Sequence, residues 1–211
     1  MPGRKRILAA TESALALERA QRRSEAQARF RGGTQAISTR TDDSEALSAL
    51  ARLVKAHGSK RAAIEHALNL ARVALAGEQA GAARRIFDIT VDYLKTRVQF
   101  GRPIGGFQAI KHMAADLLIE VESATSAARA AAQAIEDDAS DRQVLVNLAS
   151  FACADAFSEV AATAIQMHGG IAFTWEHPAH LYLRRARADA QLFGNSDLYR
   201  ERYVAALENA A

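Results

Sequence analysis

The sequence predicts an all-α protein: an antiparallel helical bundle preceded by a basic arm. Three observations predict it. Breakers are scarce, with 3 prolines and 12 glycines in 211 residues, and alanine is abundant; alanine loses least on entering a helix. Apolar residues recur at spacings of three and four, and no alternating run of useful strand length occurs. The remaining Gly, Pro and Asn/Asp/Ser signals divide the chain into three long helices and two shorter ones, as in a bundle joined by short turns.

The elements follow in order. Residues 1–60 read as a basic arm or linker, partly helical or disordered, with 12 Lys/Arg against 6 Asp/Glu; residues 61–211 hold 15 against 18. Residues 4–30 suit a helix without a clean apolar stripe, and RGGTQAISTRTDDSE (31–45) reads as a linker. Asp42 with Glu45 can cap a short helix through about 56, which HGSK (57–60) ends. The bundle is expected over 61–211. Its first helix spans 61–97, with Leu68, Val73, Leu75, Ile86, Ile89 and Tyr93 among its apolar positions. FGRPIGG (100–106) interrupts it, and a second helix spans 107–137. Ser140 and Gln143 have capping-box spacing for a third helix over 141–167. Gly169-Gly170 ends it, since glycine accepts the positive φ that closes a helix. Pro178 starts a fourth helix, and Asn195 and Ser196 cap a fifth through about 208.

Composition narrows the function classes. One cysteine, Cys153, excludes an internal disulfide and a multi-cysteine zinc site, and fits a reducing cytoplasm. No run of 18 uncharged apolar residues occurs, so no transmembrane helix is expected. The basic N-terminus has no long apolar core and is a poor secretory signal. The basic excess lies in the arm, where 6 acids interleave with it and aromatics are few. A solvated arm fits better than a nucleic-acid interface, and no nucleic-acid partner is expected.

Two stretches carry candidate chemistry. IQMHGGIAFTWEHPAHLYLRRAR (165–187) groups His168, His177, His180 and Glu176 around a glycine pair. A metal site is one reading, but no His-x-x-x-His pair and no repeated Glu-x-x-His is present, so no metal is expected. Histidines beside a helix cap, or half of a cofactor site, are the others. KTRVQFGRPIGGFQ (95–108) places Lys95, Arg97 and Arg102 around a turn that opens a helix. Guanidinium forks and free helix N–H groups grip phosphate oxygens. Gln108 can bond a heterocycle, and Gly169-Gly170 admits close approach to the backbone. Arg97 also complements a helix C-terminus without any ligand, and the two readings balance.

These stretches resemble a known family. RVQFGRPIGGFQ (97–108) fits R-x-x-F-G-x-x-I-x-x-F-Q, and QMHGGIAFTWE (166–176) fits Q-x-x-G-G-x-G-(F/Y)-x-x-E apart from Ala172 at the last glycine. In that order and at that separation they resemble the C-terminal domain of the FAD-dependent acyl-CoA dehydrogenases, over about 62–208. The resemblance implies the helical bundle of that domain and a flavin site shared between subunits. It implies that Arg97 holds the FAD pyrophosphate of a neighbouring subunit and that Phe100 and Gln108 line the adenosine half. Gln166, Met167, His168, Gly169 and Gly170 would contact the adenine–ribose region. It implies acyl-CoA as substrate and a homo-oligomer, or a hetero-oligomer with a full-length subunit. The family's catalytic glutamate occupies one of two positions, which here hold Ala71 and Phe193, so no catalytic residue is assigned. Glu78 is the nearby acid, expected to be structural. The domains that precede the bundle in the family have no counterpart in 1–60. The chain is therefore expected to be truncated or partner-dependent, or else a non-catalytic oligomerisation module derived from that bundle.

Overall fold

The computed structural model describes residues 51–209, apart from 53 and 57. The readings placed on 1–50, including the Asp42–Glu45 cap, lie outside the described residues. A bend at Gly58–Ser59 follows helical residues 54–56, as HGSK predicts. The Ala62 N–H donates to Ser59 Oγ at 3.1 Å, satisfying one free donor at the start of the next helix.

That helix, α1 (Lys60–Thr96), leads through β1 (Val98–Gln99), β2 (Arg102–Pro103) and a 3-10 turn (Ile104–Gly106) to α2 (Gln108–Glu136). Then come α3 (Arg142–His168), a second 3-10 turn (Gly169–Phe173), α4 (Ala179–Asp189) and α5 (Ser196–Glu208). The direction of each helix follows from its cross-links within the unit that begins at Ile64. Early on α1, Asn69 bonds Gln143 at the start of α3; late on α1, Tyr93 bonds the carbonyl of His168 at its end. These helices run parallel, and α2, which connects them in the chain, runs antiparallel to both.

α3 is the central element, packed on α2, α4 and α5. Its stretch 142–173 is long and apolar enough to cross a membrane by length and composition, but its apolar residues are core: Phe157, Val160, Ala161 and Ala164 are fully buried. They meet Ile86 and Phe87 of α1 and Leu117 and Val121 of α2. A second cluster is built almost entirely of small residues, Ala76, Ala80, Ala124, Ala128, Ala149, Cys153 and Ala156 among them. Small side chains let helix axes approach closely. Burial there pushes the Cys153 thiol up to about 12, so it serves as a packing group rather than a reactive one.

The interruption at 100–106 is a two-stranded hairpin, with Val98 opposite Pro103 and Gln99 opposite Arg102. Its tip places Phe100 at φ 54° and Gly101 at φ 76°. Two successive positive φ values match the twist of the strands. Only the glycine adopts that conformation freely. Gly105 is required for a different reason: a Cβ there would lie 2.9 Å from the Leu94 carbonyl oxygen.

One expectation is corrected. Ser140 and Gln143 form no capping box. The N-cap of α3 is Asp141, with no side-chain cap bond, because the Gln143 amide is engaged by buried partners: it accepts from Asn69 at 2.9 Å and donates to Asn147 at 3.3 Å. The cap of α5 is as predicted, Asn195 accepting from the Leu198 N–H at 3.0 Å.

The packing sets a contrast that denaturation resolves. Phe157→Ala in the core costs about 3–5 kcal/mol, whereas Phe173→Ala on the surface changes stability by less than about 0.5 kcal/mol. Urea unfolding followed by circular dichroism checks both, and equal midpoints for the two variants would contradict this account of the core.

Candidate functional site

The two motif stretches meet at one end of the bundle, and a single residue of α1 joins them. Tyr93 lies one helical turn before Arg97. Its ring stacks on His168 with centroids 4.6 Å apart, and its hydroxyl donates to the His168 carbonyl at 3.4 Å. Where α1 gives way to the hairpin, α3 gives way to the glycine turn.

Each expected site residue has a definite place there. Arg97 is exposed, immediately before β1. Of the three cations in this stretch, Lys95 pairs with Asp92 at 3.6 Å and Arg102 lies over the Phe107 ring at 4.0 Å. Among the described residues the Arg97 guanidinium has no such partner. Phe100 is 91% exposed at the hairpin tip, edge-on to Phe107. Gln108 and Gln166 are exposed. Gly169 sits at φ 65°, and a Cβ added at Gly169 or Gly170 would meet nothing within 4 Å, so the backbone there is open to a ligand. Met167 and His168 face inward instead. Successive helical residues turn by about 100°, so Gln166 points out while Met167 and His168 continue the buried face of α3. Ala172, at the position of the motif's last glycine, has its methyl buried in the core.

The histidines of the second stretch form a stack rather than a ligand set. His168 and His177 lie 4.2 Å apart, and Trp175 meets His180 edge-on at 4.9 Å. His168 Nδ1 donates to the Ala164 carbonyl at 2.7 Å, and His177 Nδ1 accepts from the Ala179 N–H at 3.2 Å. Among the described residues no group of three or more His, Cys, Asp or Glu side chains is arranged to hold a metal ion. Sequence reasoning grouped these histidines correctly but missed Tyr93 as their support; its position one turn before Arg97 was the available signal.

The two positions expected to hold a base, Ala71 and Phe193, lie beside one buried hydrogen-bond chain. Arg72, next to Ala71, is buried; its Nε donates to the Tyr199 hydroxyl at 3.2 Å, and the Tyr199 hydroxyl donates to the Phe193 carbonyl. Arg72 Nη1 donates to Glu65 at 2.8 Å and to Asn69 at 2.7 Å. Burial disfavours its charge, but the bonds to Glu65 and Tyr199 outweigh this and hold its pKa above the ordinary value. The cavity lined by Arg72, Gln79, Asp189, Gly194 and Tyr199 has a volume of about 10 Å³, room for about one water. Glu78 bonds Arg185 at 2.6 Å, and Arg185 also holds Asp189 at 2.9 Å. The acid near Ala71 is thus tied to α4. Burial raises the pKa of Asp189 against the pull of Arg185. Tyr199→Phe leaves the buried Arg72 Nε without its acceptor and is expected to cost about 1–3 kcal/mol. Chemical denaturation checks this, and an unchanged midpoint would contradict it.

Comparison with known proteins places this geometry. Residues 58–207 match the family described as acyl-CoA dehydrogenase, C-terminal domain. The chain is 50% identical over 124 residues to the acyl-CoA dehydrogenase IpdE2 of Mycobacterium tuberculosis, covering 58% of this chain and 36% of that protein. Among solved structures, a variant of the Tcur3481–Tcur3483 steroid ACAD superposes with a TM-score of 0.67 at 33% identity, over 71% of this chain and 41% of that one. The ChsE4–ChsE5 complex from Mycobacterium tuberculosis superposes with a TM-score of 0.63 at 30% identity, over 66% and 38%. The chain spans about a third of the length of IpdE2 proteins from two mycobacteria, 36% and 38%. With a family match over most of its length, and that family's two motifs side by side at one end of the bundle, the chain belongs to the acyl-CoA dehydrogenase family.

Proposed function

We propose that this chain acts as an acyl-CoA dehydrogenase subunit carrying one half of a flavin site, which another subunit completes. One observation carries the reading: the exposed, unpaired Arg97 guanidinium stands at the same bundle end as an open glycine backbone. These groups fit FAD. A planar guanidinium fork suits a pyrophosphate, the Gln108 and Gln166 amides suit a purine or ribose, and Gly169-Gly170 lets either come close to the main chain. When bound, FAD supplies the hydride acceptor for α,β-dehydrogenation of an acyl-CoA thioester.

Within this reading the chain's own residues bind and orient. Arg97 neutralises the pyrophosphate. Phe100 and Gln108 border the adenosine half and exclude water from it. Gln166 and the Gly169-Gly170 backbone meet the adenine–ribose region, while Met167 and His168 support the turn from behind rather than touching the ligand with their side chains. Removing the proton α to the thioester needs a positioned carboxylate. Ala71 and Phe193 offer none, and Glu78 is held by Arg185. The base therefore comes from a full-length partner. The exposed Phe173 (77%) and Trp175 (83%) beside the turn suit burial against that partner. That solved relatives include a complex of two differently named chains supports a hetero-oligomer. The reading includes a cytoplasmic location.

Reconstitution tests it. Mixed with a full-length, base-bearing subunit of the family, the chain is expected to retain flavin and to support acyl-CoA-dependent dye reduction. Arg97→Ala is expected to weaken flavin retention about 10–100-fold, the loss of charge-assisted hydrogen bonds. Equal retention by the variant would remove the reading's main support.

A further inference from the structure

We propose that His168 and His177 form a clasp that closes only while both rings are neutral, so that the turn over 169–178 is held in place at neutral pH and released in acid. The hydrogen bonds fix the tautomers. His168 donates from Nδ1 to the Ala164 carbonyl, and His180 donates from Nδ1 to the His177 carbonyl at 2.9 Å. In each ring the proton is on Nδ1, leaving Nε2 as a bare acceptor. Both Nε2 atoms are buried and unpartnered. Protonating His168 creates a buried N–H donor with no protein acceptor, on a ring that has also become charged. His177 is locked the opposite way. Its Nδ1 accepts from the Ala179 N–H, capping the start of α4, and a proton there abolishes the cap.

The surroundings offer such charges no relief. Facing the rings are Tyr93 from α1, His168 at the end of α3, and His177 and His180 at the start of α4; Glu176, beside His177 in the chain, is exposed. The charges that bear on His177 are those of His168 and His180, which repel its proton. Burial, and for His177 this repulsion as well, lowers the pKa of His168 and His177. A histidine whose folded pKa is depressed contributes stability above its ordinary value of 6.5, lost as pH falls through the folded value. Once one of the two rings takes a proton and the stack opens, the other meets water and protonates with it. The clasp stands on this geometry alone; that the turn belongs to a cofactor edge rests on the reading above.

Trp175 is the only tryptophan and lies in the turn itself, edge-on to His180, so its emission reports release of the turn in the full chain. Between pH 8 and 5 the wild type is expected to show a transition with its midpoint below 6.5 and a slope steeper than one proton, while the far-ultraviolet helix signal stays constant. His177→Phe keeps an aromatic ring on His168 and lies outside the Trp175–His180 contact. It is expected to move the midpoint toward 6.5 and reduce the slope to that of one proton. A wild-type slope of one proton, a midpoint at or above 6.5, or no transition would overturn the proposal. So would an identical profile in His177→Phe, which would mean that His177 takes no part in the transition. The wild-type curve decides the matter even if the variant does not fold.

Discussion

The ring of Tyr93 lying on His168 is the contact on which the functional end of this molecule depends. Two sequence motifs about sixty residues apart become one surface because the end of α1 and the end of α3 are pinned there. α1 and α3 run parallel, so their C-terminal ends fall together, and each releases a short irregular segment at that level: a hairpin in one case, a glycine turn in the other. Helical carbonyls at such ends would favour a cation, and Arg97 supplies one. Its guanidinium nevertheless remains without a protein partner among the described residues, and this is the observation behind the proposed anion site.

The other part of α1 shows the opposite character. Asn69 and Tyr93 are roughly 36 Å apart along the helix, and around Asn69 the polar groups close on one another. Arg72, Glu65, Asn69, Gln143 and Tyr199 form a connected network that reaches the Phe193 carbonyl. Satisfied buried networks rigidify the elements they join. This one links α1 beside Ala71 to the Phe193 carbonyl ahead of α5. One region of the bundle is thus internally complete, and the other presents unpaired charge, open backbone and exposed aromatic rings.

Much of this was legible in the sequence. The long helices lie within a residue or so of their expected bounds, because alanine-rich runs with threefold and fourfold apolar spacing leave little choice and the turn signals are sparse. The hairpin was not legible. Its Phe-Gly tip lacks the Asn or Asp usual at such turns, and a phenylalanine at positive φ is held there by the fold. The Gln143 pattern misled because the same spacing suits a capping box or a buried amide, and only Asn69, 74 residues away, decides between them. The residues expected at the cofactor edge lie together at one end of the bundle, but the sequence reading did not give the direction of their side chains. Helical rotation alone would have turned Met167 and His168 inward. The neutral lock proposed for His168 and His177 depends on which backbone groups each ring meets, and residue spacing does not reveal this.

The central claim is that the chain presents half of a flavin site and needs another subunit to complete it. Its most direct test is the visible spectrum of the chain purified alone, recorded with its mass in solution. The account predicts a colourless protein that gains flavin absorbance only when a full-length subunit joins it in one complex. A yellow preparation of this chain alone, with flavin near one per chain, would contradict it.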